Sequence, residues 1–402
     1  MQRPLVSVLI PFKNTAKYLE DCLESILKQT LTSWEVLIVD DKSTDSSRGI
    51  VETYAKNDSR IKLFNNTGQG IIDALRTAYI NASGAFITRM DSDDIMVENK
   101  LMNLLNSLQN LGRGHVAIGK VRYFSETGIA NGYKRYEKWL NSLTIKGTNF
   151  DEIYKECVIP SPCWMIYRED FEKCGGFKTS TYPEDYDLAF RFLKHEMKCI
   201  PSNEILHFWR DHPIRASRTD QNYAENSFLE LKVNYFLELS YQSHRRLVVW
   251  GAGKKGKKIA KLLLDKRISF DWICDNQKKI GKQIYNQTLN HFEYLKLLKH
   301  SKDFSNKLAE YFKDLRYHIP KTVCDIDINS EDWMAFTYTH FTSAQQKIET
   351  PRLHYDDQSN WLAACNQKLG RTEGNTFELN YGMRNNTNEL LVDMLGDANI
   401  KK

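Results

Sequence analysis

The sequence predicts an α/β protein in which helices flank a mixed, largely parallel sheet, followed by a smaller C-terminal α/β region. Two observations predict this fold class. Short β-branched, apolar runs alternate with segments of helical periodicity over the first hundred residues. The same alternation restarts in "RRLVVWGAGKKGKKIAKLLL", which begins at residue 245. Strands that alternate with helices are typical of parallel sheets, which bind ligands at the carboxyl ends of their strands.

The first four predicted strands lie in "LVSVLI", "WEVLIVD", "RIKLF" and "GAFITRM". The helix after Thr15 has apolar side chains at the i, i+3, i+4, i+7 spacing of one helix face, beginning at Leu19. Polar loops, "PFKN", "DDKSTD" and "MDSDD", follow the first, second and fourth strands directly. Because the carboxyl ends of parallel strands meet at one edge, these loops are expected to share a binding site.

The pattern is mixed after residue 115. The stretches "HVAIGKVRYF" and "CWMIYRED" predict an antiparallel extension of the sheet, and a helix is expected in "YPEDYDLAFRFLKH". We predict three regions: 1–242 as the main domain, 243–290 as a Rossmann-like βαβ segment, and 291–402 as a region of unassigned role. That last region has a helical pattern at first and then becomes polar and irregular, with isolated Trp333 and Trp361.

Composition limits the class of protein. The chain has 402 residues and a formal charge of +5, which is too small and too scattered to indicate nucleic-acid binding. A weak positive charge is compatible with binding to phosphorylated substrates or to anionic membrane surfaces. No apolar stretch reaches the roughly 18 residues of a spanning helix, and the run between Pro4 and Pro11 is too short for a secretory signal. Eight scattered cysteines without a C-x-x-C pair favour reduced thiols, so we expect a cytoplasmic protein.

The acidic stretch "MDSDD" gathers Asp91, Asp93 and Asp94 directly after a predicted buried strand. Like charges at close range resist joint ionisation unless a cation compensates them. Asp and Ser are also common where a helix begins, so the stretch could cap a following helix. The alternative is a divalent-metal site that offers oxygen ligands beside a phosphate-bearing substrate.

Five stretches carry a resemblance to a known family: "VSVLIPFKN", "WEVLIVDDKSTD", "GIIDALRTAYINASGAFITRMDSDD", "PEDYDLAFR" and "WRDHPIRASRT". In this order, over residues 4–220, they resemble the family 2 glycosyltransferases of the GT-A fold. The resemblance implies inverting transfer of a hexosyl or N-acetylhexosaminyl group from a nucleotide-diphosphate donor, a UDP-sugar, to a hydroxyl acceptor. It also implies Mn²⁺ or Mg²⁺ as the cofactor.

The resemblance also implies roles for residues of the donor side. Asp93 would bind the metal, and Asp91 would either contact the ribose or share the ion. Two roles stay open for Asp94, a part in this metal site and the cap of the following helix. The family's base-contacting aspartate corresponds to Asp41, since a carboxylate can accept from a uracil imide N–H. Beside it, Asp40 is less well matched. Two residues of the first loop correspond to the segment that the nucleotide lies across: Pro11 and Asn14.

On the acceptor side, Asp185 corresponds to the family's general base, and Glu184 would help to orient the acceptor or the base. The alternative for Asp185 is a helix N-cap after Pro183. The stretch "WRDHPIRASRT" supplies three side chains that could clamp the departing diphosphate, or could form only a solvated basic loop. They are His212, Arg215 and Arg218.

The motif "GAGKKG" fits the dinucleotide pattern G-x-G-x-x-G at Gly251, Gly253 and Gly256, and Asp275 lies 19 residues further on. An NAD-linked oxidoreductase or epimerase is therefore one alternative. No hydride-transfer site accompanies the motif, so a scaffold for acceptor binding or dimerisation is the preferred interpretation. A non-catalytic sugar-nucleotide-binding scaffold is the other alternative, against which the presence of Asp93 and Asp185 argues.

Resemblances of this kind are commonest in bacterial surface-polysaccharide assembly. We therefore expect a glycan or lipid-linked glycan acceptor at the inner membrane face, and no nucleic-acid partner. Peripheral membrane association and a homo-oligomer formed through the C-terminal region are further hypotheses.

Overall fold

The computed structural model describes residues 4–223 and 228–291, together with the backbone of Trp333–Thr337. The described residues fall into two compact units, one that ends at Phe228 and one that begins at Leu229. The sequence predicted this boundary at residue 242. The unit begins earlier because the helix that follows Phe228 packs against the helix of the "GAGKKG" motif. No helix in the described ranges is long and apolar enough to cross a bilayer.

The strands of the first unit are β1 (Val6–Phe12), β2 (Trp34–Asp40), β3 (Ile61–Asn65), β4 (Phe86–Arg89), β5 (Ile95–Met96), β6 (His115–Ile118), β7 (Lys120–Phe124), β8 (Trp164–Tyr167), β9 (Lys198–Ile200) and β10 (Ile205–Arg210). Its helices are α1 (Ala16–Leu27), α2 (Ser47–Asn57), α3 (Gly70–Asn81), α4 (Lys100–Leu111), α5 (Asn131–Lys146), α6 (Arg168–Lys173), α7 (Glu184–Lys194) and α8 (Ala216–Thr219). Short 3₁₀ helices span Asn149–Glu152 and Gln221–Tyr223.

Among the described residues of this unit, seven strands form one sheet in the order β3-β2-β1-β4-β8-β6-β9. The strands β3, β2, β1 and β4 are parallel neighbours, and β8 runs antiparallel to both β4 and β6. Helix α3 packs against β1 and β2, and α4 packs against β6 and β8. The predicted mixed sheet flanked by helices, with its antiparallel extension, is therefore confirmed.

The first strands and the first helix form a shared buried core. Every residue of β1 and β2 is buried, as expected for central strands of a sheet covered by helices. On α1, the predicted apolar face is buried in the same core, including Leu19, Leu23 and Ile26. Burial of each such side chain contributes about 1.5–3 kcal/mol to folding.

The strand-like stretch "HVAIGKVRYF" forms two strands that belong to different sheets. Strand β6 joins the large sheet, whereas β7 pairs with β10 in a small sheet of order β5-β10-β7. The break falls at Gly119, where an added Cβ would lie 2.7 Å from the side chain of Leu206. A larger residue at this position would therefore push the two sheets apart.

The second unit contains α9 (Leu229–Leu239), β11 (Arg246–Trp250), α10 (Lys254–Asp265), β12 (Asp271–Cys274), β13 (Gln283–Ile284), β14 (Gln287–His291) and β15 (Trp333–Thr337). Its described strands have the order β13-β14-β12-β11-β15, and β12 and β15 are parallel to β11. The structure thus contains the predicted strand, glycine turn, helix and strand. An added Cβ on Gly256 would lie 2.1 Å from the carbonyl oxygen of Gly251, so the turn and helix require glycine there.

Only some of the remaining predictions for the C-terminal region fall within the described residues. Trp333–Thr337 forms a strand in a stretch that the sequence suggested was irregular, and β14 adds a parallel strand beside β12. Asp275 follows β12 directly and is exposed. The predicted helix in "HFEYLKLLKH", the segment around Trp361 and the hypothesis of an oligomer through this region lie outside the described residues.

Candidate active site

A cleft of about 690 Å³ opens at the carboxyl ends of β2, β1 and β4. These three strands are adjacent and parallel, so the loops that follow them meet at one edge of the sheet. The lining includes Pro11 near the end of β1, and Asn14, Asp41, Asp91 and Asp93 from those loops. From later in the chain it includes Glu184, Asp185, His212 and Arg215. Nearly all of the predicted site residues are therefore brought to one cavity.

Asp41 is buried at the end of β2 and is held in place by its neighbours. Its Oδ1 accepts hydrogen bonds from Asn66 Nδ2 at 2.6 Å and from the backbone N–H of Gly70 at 3.0 Å. Lys13 Nζ lies 3.6 Å from Oδ2. The adjacent Asp40 does not line the cleft, because its side chain accepts from the backbone N–H of Ser43 within the loop, at 2.8 Å.

Asn14 has a positive φ of 53°, a conformation that asparagine tolerates better than most residues. Its Oδ1 accepts from the backbone N–H of Thr44 at 2.8 Å, and its own N–H donates to Ser43 Oγ at 3.1 Å. The side chain of Asn14 thus joins the loop after β1 to the loop after β2. Pro11 lines the cleft at the end of β1.

The acidic cluster pairs each of its carboxylates with a different cation or donor. Arg89 donates to Oδ1 of Asp91 through Nε at 3.1 Å and Nη2 at 2.9 Å. His212 Nε2 lies 2.7 Å from Oδ2 of Asp93. Burial alone would raise the pKa of Asp93, but the hydrogen bond from His212 and the charge of Arg215 lower it. Asp93 is therefore an anion at neutral pH.

Asp94 does not cap a helix, and that interpretation of the acidic stretch is wrong. The strand β5 follows it, and α4 begins only at Lys100, after Asn99. The buried Asp94 lies 2.9 Å from His207 Nε2 and accepts from the backbone N–H of Arg210 at 2.7 Å. Its contacts therefore attach the acidic loop to β10.

Behind this loop is a buried polar chain that the sequence did not indicate. Lys100 Nζ lies 3.1 Å from His207 Nδ1 and donates to the carbonyl oxygen of Pro162. Burial lowers the pKa of Lys100 and of His207 and, together with the charges of Asp93 and Asp91, raises the pKa of Asp94. These buried groups hold the acidic loop in place from the side of the core.

The three residues predicted to clamp the diphosphate have different surroundings. His212 is buried, and its ring lies 4.6 Å from that of Tyr18 at a tilt of 38°; its Nδ1 has no hydrogen-bond partner among the described residues. Arg215 lies over the ring of Trp209 at 4.8 Å and lines the cleft. Arg218 does not line the cleft, because it forms a bidentate ion pair with Asp211 at 2.8 Å.

Glu184 and Asp185 are adjacent but have unlike environments. Helix α7 begins at Glu184 after Pro183, so Asp185 lies in the first turn rather than at the N-cap. Both oxygens of the buried Glu184 are engaged, Oε1 by Arg89 Nη1 at 2.8 Å and Oε2 by the hydroxyl of Tyr223 at 3.0 Å. Asp185 accepts, within the described chain, only the backbone N–H of Tyr186, at 2.8 Å.

Burial and the negative charge of Glu184 raise the pKa of Asp185 to about 7, despite the opposing charge of Arg89. A carboxylate with a pKa near neutrality can take a proton in a transition state and release it afterwards. The two acids therefore differ. Glu184 is fixed by its ion pair with Arg89, whereas Asp185 lines the cavity with a pKa suited to proton transfer.

Arg89 is the main functional residue that the sequence interpretation missed. Its side chain is 5% exposed and forms ion pairs with both Asp91 and Glu184, two acids that line the cleft. Burial would lower the pKa of Arg89, but Asp91 and Glu184 raise it, so it stays charged. The signal was present in "GAFITRM", because a lone cation in a buried strand requires a carboxylate partner.

The residues around Asp91 and Asp93 fit a Mg²⁺ or Mn²⁺ ion that is shared with a phosphate substrate. No group of three or more His, Cys, Asp or Glu in the described chain could hold a metal by itself. Mg²⁺ at phosphate-transfer sites commonly takes only one or two protein carboxylates, with substrate phosphates and water completing its coordination. Two hard carboxylates in one cleft match that donor set, and beside them Nδ1 of His212 has no hydrogen-bond partner in the part of the chain that the structure describes.

Comparison with known proteins identifies relatives of the first unit. Residues 7–175 match the family model described as glycosyl transferase family 2. TuaG of Bacillus subtilis (strain 168), named as a teichuronic acid biosynthesis glycosyltransferase, is 41% identical over 216 residues, covering 52% of this chain and 79% of TuaG. WfgD of Escherichia coli, named UDP-Glc:alpha-D-GlcNAc-diphosphoundecaprenol beta-1,3-glucosyltransferase, is 43% identical over 108 residues, covering 26% of this chain and 42% of WfgD.

The curated relatives differ in how much of their length is matched. The chain spans from 41% to 79% of the first five. Among solved structures, residues 1–349 of S. aureus TarS in complex with UDP-GlcNAc align with a TM-score of 0.46 and 17% identity. That alignment covers 80% of this chain and 84% of the TarS chain.

Proposed function

The chain belongs to glycosyl transferase family 2, and from this membership we propose that it catalyses metal-dependent, inverting transfer of a sugar from a UDP-linked donor to a hydroxyl acceptor. One observation supports the proposal most directly. The carboxylates suited to a metal–diphosphate and the carboxylate suited to a general base line the same cleft, with opposite shifts in pKa. Asp93 is held as an anion, whereas Asp185 can exchange a proton near neutral pH.

Asp41 and the loop after β1 would bind the nucleotide. The carboxylate of Asp41 is oriented by Asn66 and Gly70, and an oriented carboxylate can accept from the imide N–H of uracil. Pro11 and Asn14 line the same part of the cleft, where the loop fixed by Asn14 would support the base. The UDP-sugar in the name of WfgD agrees with this choice of nucleotide. The proposal does not distinguish a hexosyl from an N-acetylhexosaminyl group as the sugar transferred.

Asp93 and Asp91 would hold the Mn²⁺ or Mg²⁺ ion, which as a Lewis acid would stabilise the charge that develops on the diphosphate. His212 keeps Asp93 in place and, when protonated, has a second N–H available at Nδ1. Arg215 adds a fixed positive charge on the same side of the cleft. Preorganised charges of this kind stabilise a leaving diphosphate without reorganisation during the reaction. Arg218, held by Asp211, would instead stiffen the loop.

On the acceptor side, Asp185 would take the proton of the attacking hydroxyl, and Glu184 would keep Asp185 basic through its nearby negative charge. A single displacement at the anomeric carbon requires no enzyme nucleophile and inverts the configuration. The names of TuaG and WfgD support a role in bacterial surface-polysaccharide assembly, with a lipid-linked glycan as acceptor. Such an acceptor would place the protein in the cytoplasm at the inner membrane face.

The donor half of the proposal is tested by thermal unfolding. UDP is expected to raise the melting temperature when Mn²⁺ or Mg²⁺ is present, because the ion relieves repulsion between Asp91 and Asp93 while it bridges to the diphosphate. At a hundredfold excess over the dissociation constant, the stabilisation should be about 2.7 kcal/mol. Asp93→Ala should abolish the metal-dependent part, whereas Asp151→Ala, at an exposed carboxylate outside the cleft, should leave it unchanged.

An equal shift in EDTA would exclude the metal from donor binding. If neither UDP nor other nucleoside diphosphates changed the melting temperature, the proposed donor class itself would be wrong.

A further inference from the structure

Positive charge is concentrated on α10 and the segments that flank it. Residues 245–282 contain twelve Lys or Arg against three Asp, a charge of +9, whereas the whole chain has a net charge of +5. The candidate active site uses none of these residues. A cluster of four to eight basic residues on an amphipathic helix is typical of surfaces that bind anionic lipids.

The fold uses only the apolar side of α10. Gly256, Ile259 and Leu263 are buried within the second unit, whereas Lys254, Lys261 and Lys266 are exposed. We call these three exposed lysines the lysine row. Because the apolar side is already covered, the helix cannot insert its apolar face into a bilayer, and the contact it offers is electrostatic.

The length of the lysine row favours an extended anion over a single phosphate. From Lys254 to Asp265 the helix rises by about 17 Å at 1.5 Å per residue, and Lys266 follows directly after its end. A phosphate or diphosphate group could contact only one end of such a row. A lipid surface presents phosphate groups over the whole length, and Lys side chains are long enough to reach them while the helix stays outside the headgroups.

An exposed aromatic side chain is linked through Trp272 to the turn that precedes the same helix. Tyr285 occupies the turn between β13 and β14, is 47% exposed, and stacks on Trp272 at 6.3 Å. The indole N–H of Trp272 donates to the carbonyl oxygen of Gly251 at 2.8 Å, and Lys279 Nζ donates to that of Ala252 at 2.6 Å. Tyrosine is enriched where proteins meet the membrane–water interface, because its ring is apolar and its hydroxyl polar.

We propose that the lysine row and Tyr285 form a docking surface for an anionic lipid bilayer. The biological purpose, delivery of the enzyme to a lipid-linked acceptor, rests on the proposed function, but the binding itself does not require catalysis. A lipid surface is preferred to a nucleic acid because an exposed aromatic ring in the same unit as the lysines suits a headgroup interface.

The test measures co-sedimentation of the full chain with vesicles. Vesicles of phosphatidylcholine with about one quarter phosphatidylglycerol should bind the protein, pure phosphatidylcholine should not, and added salt should weaken binding. The variant Lys254→Gln, Lys261→Gln, Lys266→Gln should bind roughly 100-fold more weakly. Lys28→Gln, Lys56→Gln, Lys146→Gln, which removes three exposed lysines of the first unit, is the matched control and should bind almost as wild type.

Equal binding to both kinds of vesicle, or equal loss in the two triple variants, would overturn the proposal. So would stronger binding to duplex DNA than to anionic vesicles at the same salt concentration. The shift in melting temperature with UDP and Mn²⁺ should be unchanged in both triple variants, which shows that they are folded. Failure to dock would therefore leave donor binding intact and can be told apart from failure of the proposed function.

Discussion

Asp185→Asn is expected to lower sugar transfer by roughly 10²–10⁴ while donor affinity holds within a few-fold, because a positioned general base contributes about that much to a rate. Asparagine keeps the shape of the side chain but cannot take the proton of the acceptor. Donor and metal would bind through Asp41, Asp91 and Asp93, which lie on other loops. Turnover is measured as UDP release from UDP-sugars, with water and then with a lipid-linked glycan fraction as acceptor.

The dependence of turnover on pH gives a second result from the same variant. Since the pKa of Asp185 is raised to about 7, wild-type turnover should increase with pH towards neutrality as the carboxylate loses its proton. The residual activity of Asp185→Asn should lack this increase, because an amide does not titrate in that range.

If Asp185 served only as an acidic residue in the first turn of α7, the substitution would leave turnover nearly unchanged, because loss of its charge beside the helix N-terminus costs only about 0.3–1 kcal/mol of stability. Near wild-type turnover in the folded variant would therefore refute the assignment of the base, and Glu184 would be the next residue to test.

Arg89→Met is expected to lower the free energy of unfolding by about 3–5 kcal/mol, the usual cost of removing one partner from a buried ion pair. Both Arg89 and Glu184 are only 5% exposed, so Glu184 would keep a buried charge with a hydrogen bond from Tyr223 alone. The measurement is urea denaturation of the full chain. The double variant Arg89→Met, Glu184→Gln should recover a large part of the loss, because it removes the uncompensated charge.

Arg113→Met provides the matched control. Arg113 also joins two carboxylates, Glu169 and Asp170, but its side chain is 52% exposed. An ion pair whose cation reaches solvent contributes about 0–1 kcal/mol, and the buried Asp170 would keep the hydrogen bond from the backbone N–H of Gly114, so this variant should lose much less stability than Arg89→Met. Equal losses for Arg89→Met and Arg113→Met would show that the buried position of Arg89 has no special energetic role.

The candidate site was only partly accessible from the sequence. Asp91 and Asp93 could be placed at the sheet edge, because the apolar run before them marks a buried strand and parallel strands end on the same side. Asp94 follows in the same stretch, yet it belongs to a different environment. No local pattern distinguishes three neighbouring aspartates, since their roles depend on which partners the fold brings to each carboxylate.

What the sequence by itself determined is therefore the series of strands and helices, the common edge that collects the polar loops, and the family to which their motifs belong. Periodicity and turn chemistry act between residues close in the chain, so they can be read from it directly. Only the tertiary structure decided the pairing of Arg89 with Glu184, of Asp94 with His207 and of Asp93 with His212. These partners are 95, 113 and 119 positions apart in the chain, so no local pattern predicts their pairing, and each hydrogen bond forms only when the fold brings the two side chains together in a buried place.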